Sequence, residues 1–248
     1  MMNESILAGR NAVFEAIKAG RSIEKIYVQK GASGGSLPAI LRMAQKMRIQ
    51  VQQTDREKLD EMSSENHQGI IAVVSAAEYA SVEDIIQRAK DAQEAPFILV
   101  CESIQDPHNL GAMIRTAEAC GVHGLVISKH HAVGLSDAVA KTAAGALEYM
   151  PVAKVSSVAK FIDELKKEGF WIVCADMDGQ SMYEADLTGP TALIIGGEHE
   201  GITRLVKEKA DHVIRIPMRG TVNSLNASVA AGVLMYEIIR QRTKKAGK

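Results

Sequence analysis

Hydrophobic positions along the chain follow two periods, one typical of strands and one typical of amphipathic helices. The run at 70–74 is strongly β-prone, whereas residues 11–19 carry apolar side chains at helical spacing. For the first part of the chain, the pattern predicts strands at 23–28, 49–53 and 70–74 and helices at 11–19, 37–47 and 55–62. Because helix and strand alternate, residues 1–76 are predicted to form a small α/β domain.

The pattern of the second part, residues 96–248, is more regular, and several of its predicted strands are continuously apolar. Strands are predicted at 97–101, 125–128, 171–175, 192–195 and 213–216, and helices at 110–120, 136–147, 158–168, 203–210 and 225–242. Continuously apolar strands separated by helices are typical of a parallel sheet with helices on both faces. We therefore predict an α/β domain built on a parallel sheet.

Two further segments complete the organisation. Residues 77–95 hold several acidic side chains and few large apolar ones, which indicates a partly helical linker between the two domains. The last helix has one apolar stripe, for which core packing is the simpler interpretation and dimerisation an alternative. That stripe consists of Val229, Val233, Tyr236 and Ile239.

Composition excludes several classes of protein. The chain has 248 residues, and 29 Lys and Arg balance 30 Asp and Glu to a net charge of −1. Such a balance excludes a protein that coats nucleic acid by bulk charge, although a local basic patch is still possible. Only 4% of residues are aromatic, which argues against a surface that stacks many bases. The start of the chain lacks the features of a signal peptide, and no apolar run is long enough to span a bilayer, so we expect a cytoplasmic protein.

Cysteine and histidine usage gives no sign of a metal site or a disulfide framework. Cys101, Cys120 and Cys174 are odd in number and far apart, which favours buried free thiols. His123 and the pair at 130–131 lack metal-ligand spacing, and exposed loop positions are the simpler interpretation. The segment 176–179, Asp-Met-Asp-Gly, is only a fragment of a calcium-loop pattern.

Ligands of parallel α/β domains bind outside the carboxyl ends of the strands. The loop after strand 97–101 contains a turn signal at Asp106, and Asn109 can cap the next helix. Further along that helix, Arg115 has Glu118 as its i+3 neighbour, and a surface ion pair explains both residues if they are taken alone. No glycine fingerprint for dinucleotides, no P-loop and no nucleophile elbow is present.

Two later loops carry denser polar sequence. Residues 196–201 contain three glycines and acidic side chains, for which a ligand loop and a solvated turn are equally good interpretations. Residues 217–228 are rich in small polar side chains and lead into the last helix, which Ser224 or Asn226 can cap. Capping explains one residue of this set, so a functional role is favoured for the remainder.

Taken together and in this order, the three loops resemble the SpoU (TrmH) family of RNA methyltransferases, within the SPOUT class. The matching positions are Asn109, Gly111, Arg115 and Ala117, then Gly196, Glu198 and Gly201, then 216–220 and 224–228. The resemblance covers residues 96–242. Residues 5–13 and 67–72 are similar to the RNA-binding domain of the bacterial RlmB-type enzymes, which is like ribosomal protein L30e. Those enzymes methylate a guanosine ribose 2′-oxygen in 23S ribosomal RNA.

The resemblance implies a deep trefoil knot in the C-terminal domain, S-adenosylmethionine held by the knot, and a homodimer with active sites near the subunit interface. It implies a cofactor site without metal that consists of Gly196, Gly201, Ile216, Met218 and Leu225. It implies a catalytic set that consists of Asn109, Arg115, Glu198, Ser224 and Asn226. The family assigns activation of the 2′-hydroxyl to Arg115, and we expect this guanidinium to stabilise the alkoxide because arginine rarely loses its proton.

The alternatives differ in substrate or in class. A tRNA 2′-O-methyltransferase and an rRNA resistance methylase share the three motifs. A non-catalytic RNA-binding or ribosome-assembly protein is also compatible with the fold, whereas no motif supports a metabolic enzyme. Since the net charge is near zero, RNA affinity must come from local patches. The basic candidates are Arg10, Lys18, Arg21, Lys25, Arg219, Arg240, Arg242, Lys244, Lys245 and Lys248.

Overall fold

The computed structural model describes residues 6–198 and 200–245, so Ser5, His199 and Lys248 of the sequence interpretation lie outside the described residues. The chain divides into two compact units. The first unit contains the residues up to 78 together with 134–140, and the second contains the remainder.

The first unit is a four-stranded mixed sheet with three helices. Its elements are β1 (Ile6–Ala8), α1 (Arg10–Lys18), β2 (Ile23–Gln29), α2 (Leu37–Lys46), β3 (Gln50–Thr54), α3 (Arg56–Met62) and β4 (Ile70–Val74). The strand order is β1-β4-β2-β3, in which only β2 and β3 run parallel. Val13, Ile26, Ile40 and Ile70 are fully buried in its core. The sequence missed β1 because three residues are too few to show alternation.

The second unit is a six-stranded sheet whose strand pairs are all parallel, in the order β10-β8-β9-β5-β6-β7. Its elements are α4 (Val82–Asp91), β5 (Phe97–Glu102), α5 (Pro107–Ala119), β6 (Gly124–Ser128), β7 (Val152–Val155), α7 (Val158–Lys167), β8 (Trp171–Ser181), β9 (Thr191–Gly196), α8 (Arg204–Glu208), β10 (His212–Arg215) and α9 (Ala227–Lys245). The short helix α6 (Asp137–Ala143) begins in the first unit and ends in the second. The predicted parallel α/β sheet is therefore confirmed. The edge strand β7 was not predicted.

The acidic segment before β5 contributes a packed helix. Ser81 and Asp84 form a capping box at the start of α4, which satisfies two backbone N–H groups. Ile85 and Ala89 on its inner face are fully buried in the core of the second unit. The acidic residues of this segment lie on the outer face, which is why its composition resembled a linker.

Two of the four residues of the predicted stripe of the last helix face outward, contrary to the expectation of core packing, and Val233 and Ile239 are half-buried. Val229 is 51% exposed and Tyr236 is 57% exposed, whereas Leu234 and Ile238 are buried. The inward stripe is offset from the outward one by about one position, and the helix is apolar on both sides. Periodicity alone did not separate the two stripes.

Two smaller outcomes concern isolated side chains, and a third concerns the helices. The cysteines are free and buried, as predicted, and burial raises the pKa of the Cys101 and Cys174 thiols to about 12. His123 is buried, contrary to expectation, and its Nδ1 accepts a hydrogen bond of 3.0 Å from the Phe97 N–H. Among helices of the described residues, none has the length and apolar character needed to cross a bilayer.

Candidate functional site

The carboxyl ends of β9 and β10 and the middle of β8, at 175–177, surround a cavity of about 1000 Å³. We call it the large cavity. Its wall is completed by the segment 216–226 and the first turns of α9. A second, small cavity of about 260 Å³ lies under the loop that follows β5. Gly197, Glu198 and Glu200 line both cavities, so the loop after β9 separates them.

The position of these cavities follows from the strand order. β5 and β9 are neighbours at the middle of the sheet, with β6 on one side and β8 on the other. Loops that leave two adjacent parallel strands in opposite directions open a crevice between them, and this crevice is the usual ligand site of such sheets. The first turn of α5, which carries Asn109, and the loop after β9, which carries Glu198, flank this crevice.

Three side chains from three separate segments of the chain meet at this crevice. Asn109 Nδ2 donates a hydrogen bond of 2.8 Å to Glu198 Oε1. Asn226 Nδ2 donates to the same carboxylate oxygen at 2.9 Å and to Asn109 Oδ1 at 2.9 Å. The resemblance proposed these residues for one site, and the fold brings them into direct contact.

The chemistry of a carboxylate fixes the orientation of both amides. An ionised carboxylate only accepts hydrogen bonds, so Asn109 and Asn226 must both present nitrogen to Glu198. Within the described residues, Glu198 Oε2 has no hydrogen-bond partner, although Glu198 lines both cavities. The cluster therefore holds one carboxylate oxygen rigidly and leaves the other available to a ligand hydroxyl.

The residue that caps α5 differs from the sequence prediction, whereas the cap of α9 agrees with it. Asp106, and not Asn109, caps α5, because Asp106 Oδ1 accepts from the His108 N–H at 2.9 Å. Asn109 lies inside the first turn of α5 and is buried. Asn226 caps α9 as predicted, since its Oδ1 accepts from the N–H groups of Ser228 and Val229.

All five cofactor candidates line the large cavity; they are Gly196, Gly201, Ile216, Met218 and Leu225. Ser224 lines it as well and makes no hydrogen bond with other described side chains. The backbone at Gly196 lies very close to the backbone at Gly201. A Cβ built on Gly196 would lie 2.2 Å from the carbonyl carbon of Gly201. The part of the wall formed by these five residues therefore consists of apolar side chains and close-packed glycine backbone.

Arg115 does not join this cluster. Its side chain is exposed on α5 and lines neither cavity of its own chain. Six positions of a helix correspond to a rotation of about 240° from Asn109, which turns the two side chains to different faces. The surface pair with Glu118 is also absent among the described contacts. The sequence had no means of showing which face of α5 would be covered.

Two of the basic RNA-contact candidates have structural roles instead. Arg10 donates hydrogen bonds to the carbonyls of Ser33, Gly34 and Gln68 and so fixes two loops of the first unit. Arg242 donates to the carbonyls of Ala95, Pro96 and Gly189 in the second unit.

Arg242 also lies over the ring of Phe97. Its burial lowers the pKa to about 10, against an opposing effect of Glu94. The guanidinium is therefore part of the packed second unit and is not free to contact RNA.

The sequence proposed neither Asp176 nor Arg215 for the site, although both line the large cavity. Asp176 lines its wall and forms an ion pair with Lys207 at 2.6 Å. The Asp-x-Asp-Gly fragment pointed to this segment for a different reason, namely calcium binding. Within the described residues, no group of three or more His, Cys, Asp or Glu side chains is placed to hold a metal ion.

Comparison with known families gives two matches that together cover most of the chain. Residues 96–236 match the model described as the SpoU rRNA Methylase family. Residues 6–80 match the model described as RNA 2′-O ribose methyltransferase substrate binding. The Bacillus subtilis (strain 168) protein YacO, named for the TrmH family of tRNA/rRNA methyltransferases, is 45% identical over 235 residues, which are 94% of each chain.

Two solved structures share the fold. The SpoU methyltransferase AviRb from Streptomyces viridochromogenes, solved in complex with AdoMet, aligns with a TM-score of 0.62 at 24% identity. That alignment covers 96% of this chain and 90% of AviRb. The A. aeolicus TrmH/SpoU tRNA modifying enzyme aligns with a TM-score of 0.56 at 31% identity, over 66% of this chain and 85% of that enzyme.

Proposed function

This chain belongs to the SpoU rRNA methylase family, and from that premise we propose that it transfers a methyl group from S-adenosylmethionine to a ribose 2′-oxygen of a guanosine in 23S ribosomal RNA. The observation that carries the proposal is the cluster of Asn109, Glu198 and Asn226 between the two cavities. It offers one free carboxylate oxygen beside a cavity that is large enough for a nucleoside cofactor.

The residues of the large cavity fit that cofactor. Ile216 and Leu225 supply apolar surface for an adenine ring, and Gly196 allows backbone groups to approach a ligand closely. The carboxylates of Asp176 and Glu198 suit a ligand with hydroxyl donors and positive charge. When bound, S-adenosylmethionine supplies an electrophilic methyl group on a sulfonium.

The chain's own part in the reaction is orientation and charge stabilisation. The free oxygen of Glu198 accepts the hydrogen bond of a ribose hydroxyl, and Asn109 keeps that carboxylate in place. Ser224 has an uncommitted hydroxyl at the cavity wall for the RNA backbone. Arg115 holds the adjacent phosphate and stabilises the developing alkoxide as a bidentate cation.

We propose a homodimer, because Arg115 does not line the cavities of its own chain. The outward stripe of α9, with Val229 and Tyr236 exposed, is an apolar surface of the kind that interfaces cover. α5, which carries Arg115, packs against α9. A second copy on this face would bring its Arg115 close to the site of the first.

The deep trefoil knot belongs to the same proposal. β10 lies at the sheet edge beyond β8, yet the helix that follows it packs on β9 and α5. The segment 216–226 must therefore cross back over the ends of β8 and β9. This return path, which also closes the large cavity, supports a threaded loop.

The first unit is proposed to bind the RNA. We keep the division proposed from the sequence, with a substrate-binding domain at 1–76, a linker at 77–95 and a methyltransferase domain at 96–248. The match of residues 6–80 to a substrate-binding model supports this assignment, as does the resemblance to the L30e-like domain. Lys18 and Arg21 are exposed there. Replacing both by Glu should weaken RNA binding while S-adenosylmethionine affinity stays unchanged.

The test is methyl transfer from labelled S-adenosylmethionine to 23S rRNA, 16S rRNA and bulk tRNA, offered separately and followed by mapping of the labelled nucleotide. Label in a single 2′-O-methylguanosine of 23S rRNA is the expected result. Label in tRNA would overturn the proposed substrate and keep the enzyme. No label together with no cofactor binding would favour a non-catalytic RNA-binding protein.

A further inference from the structure

Asp176 stands out among the cavity residues because no family motif accounts for it. It follows the part of β8 that pairs with β9, and its side chain is only 18% exposed. Its Oδ2 accepts a hydrogen bond from Lys207 Nζ at 2.6 Å, and its Oδ1 accepts from the Asp178 N–H at 3.1 Å. The carboxylate is thus held in one orientation at the wall of the large cavity.

This carboxylate keeps its charge and part of its accepting capacity. Burial disfavours ionisation, but the hydrogen bonds from Lys207 and from the Asp178 N–H outweigh it and lower the pKa of Asp176. The same pair raises the pKa of Lys207. A carboxylate has about four acceptor positions, and the two hydrogen bonds named above leave about two for a ligand.

The strand order places Asp176 away from the methyl-transfer end of the site. β8 lies two strands from β5, which leads to Asn109, and adjacent strands are about 4.8 Å apart. Asp176 is therefore displaced by roughly 10 Å across the sheet from the strand that leads to Asn109. The same cavity wall includes Ile216 and Leu225, the apolar surface assigned to the adenine.

We propose that Asp176 binds the ribose cis-diol of S-adenosylmethionine, and that Lys207 positions its carboxylate. The inference rests on the proposed function for the identity of the ligand. Two adjacent hydroxyls present two donors to one carboxylate, which is how an acidic residue recognises ribose at the strand ends of dinucleotide-binding sheets. The diol is at the nucleoside end of the cofactor, on the side of the cavity where Asp176 lies.

The experiment is calorimetric titration of the full-length protein with two ligands. S-Adenosylhomocysteine keeps the amino-acid tail and the diol, whereas 5′-methylthioadenosine keeps only the nucleoside and its diol. For Asp176→Asn we expect both affinities to fall by roughly 10- to 100-fold, the range for hydrogen bonds to a charged group. Asp178→Asn is the matched control, because that neighbouring carboxylate is exposed and does not line the cavity.

Variants of Lys207 separate positioning from general stability. Lys207→Met should weaken both ligands by a smaller factor, and Lys207→Arg should restore most of the affinity because it keeps the charged donor. The 2′-deoxy form of 5′-methylthioadenosine gives a test that uses ligand chemistry. Its loss of affinity relative to the parent should be large in the wild type and smaller in Lys207→Met by the factor that Lys207→Met itself costs, and this test holds even if Asp176→Asn does not fold.

Two results would overturn the inference alone, and a third would overturn the proposed function as well. Unchanged affinity of Asp176→Asn for both ligands overturns the inference. A loss confined to S-adenosylhomocysteine also overturns it, because Asp176 would then face the amino-acid tail. If the wild type binds neither ligand, the proposed function fails and this inference fails with it.

Discussion

The side-chain amide of Asn226 donates a hydrogen bond of 2.9 Å to the carboxylate of Glu198, although the two residues are 28 positions apart. The same amide group uses its oxygen to cap α9. One side chain therefore ties the start of the last helix to the carboxylate between the two cavities. A change at Asn226 acts on both catalysis and stability, and suitable variants separate them.

Asn226→Asp keeps the capping oxygen but places a second carboxylate against Glu198. We expect kcat for methyl transfer to fall by about 10²- to 10³-fold through the loss of orientation and charge repulsion. Asn226→Ala should lose comparable activity and also about 1 kcal/mol of stability through the missing cap. Methyl-transfer kinetics and urea unfolding separate the two effects. Thr221→Ala, the control at an exposed residue that does not line the large cavity, should stay active, and wild-type kcat in Asn226→Asp would contradict the role.

Arg115→Ala should lose most methyl transfer while S-adenosylhomocysteine binding is unchanged, because Arg115 lines neither cavity of its own chain. Arg115→Lys should recover little, since lysine lacks the bidentate geometry. If the partner supplies this residue, mixing Arg115→Ala with Glu198→Gln should restore part of the activity. Mixed dimers then contain one intact site. No recovery from a mixture shown to exchange subunits would speak against a shared site.

The free energy of unfolding should decrease as the pH is lowered, because His123 is buried. Burial lowers the pKa of His123, against opposing effects of the Phe97 backbone and Glu94. The unfolded chain therefore binds more protons than the folded chain below about pH 6.5. The contribution is fully present above that pH and is lost as the pH falls toward the folded pKa.

Urea unfolding at pH 7.5 and at pH 5.5 measures this dependence. His123→Gln removes the titrating group, and we expect it to show a smaller decrease in stability between the two pH values than the wild type. His130→Gln is the matched control, because His130 is exposed. An identical decrease in wild type and His123→Gln would assign the pH dependence to other groups.

Gly196→Ala should destabilise the second unit by at least about 2 kcal/mol, because its Cβ would lie 2.2 Å from backbone of Gly201. The clash is with main chain and cannot be relieved by a rotamer change. Gly220→Ala is the control, since no atom lies within 4 Å of a Cβ built there. Thermal unfolding compares the two variants, and equal melting temperatures would mean that the backbone adapts at Gly196.

Arg242→Met should lower the stability of the second unit by about 2 to 4 kcal/mol, because three carbonyls lose a charged donor. Lys244→Met, on the exposed side of the same helix, should change stability little. Urea unfolding together with RNA binding distinguishes the roles. Reduced RNA affinity at unchanged stability would restore Arg242 to the RNA-contact candidates.

The sequence by itself determined the local elements and the polar loops that follow the strands. Helical spacing and continuous apolar runs are properties of neighbouring residues, so strands such as β4 and β5 were predicted within one residue of their bounds. The three motifs also identified the family, because they preserve residue order. The element bounds failed where the signal was short, as at β1, or where acidic outer positions hid a buried face, as at α4.

Only the tertiary structure decided which distant groups meet. The strand order brings Asn109, Glu198 and Asn226 together and places Asp176 beside Lys207, and no local pattern contains that order. The tertiary structure also shows that Arg10 and Arg242 donate hydrogen bonds to backbone carbonyls, and that Val229 and Tyr236 of α9 are exposed. The physical reason is that pairing and burial depend on contacts between residues far apart in the chain, whereas propensity and periodicity depend on near neighbours.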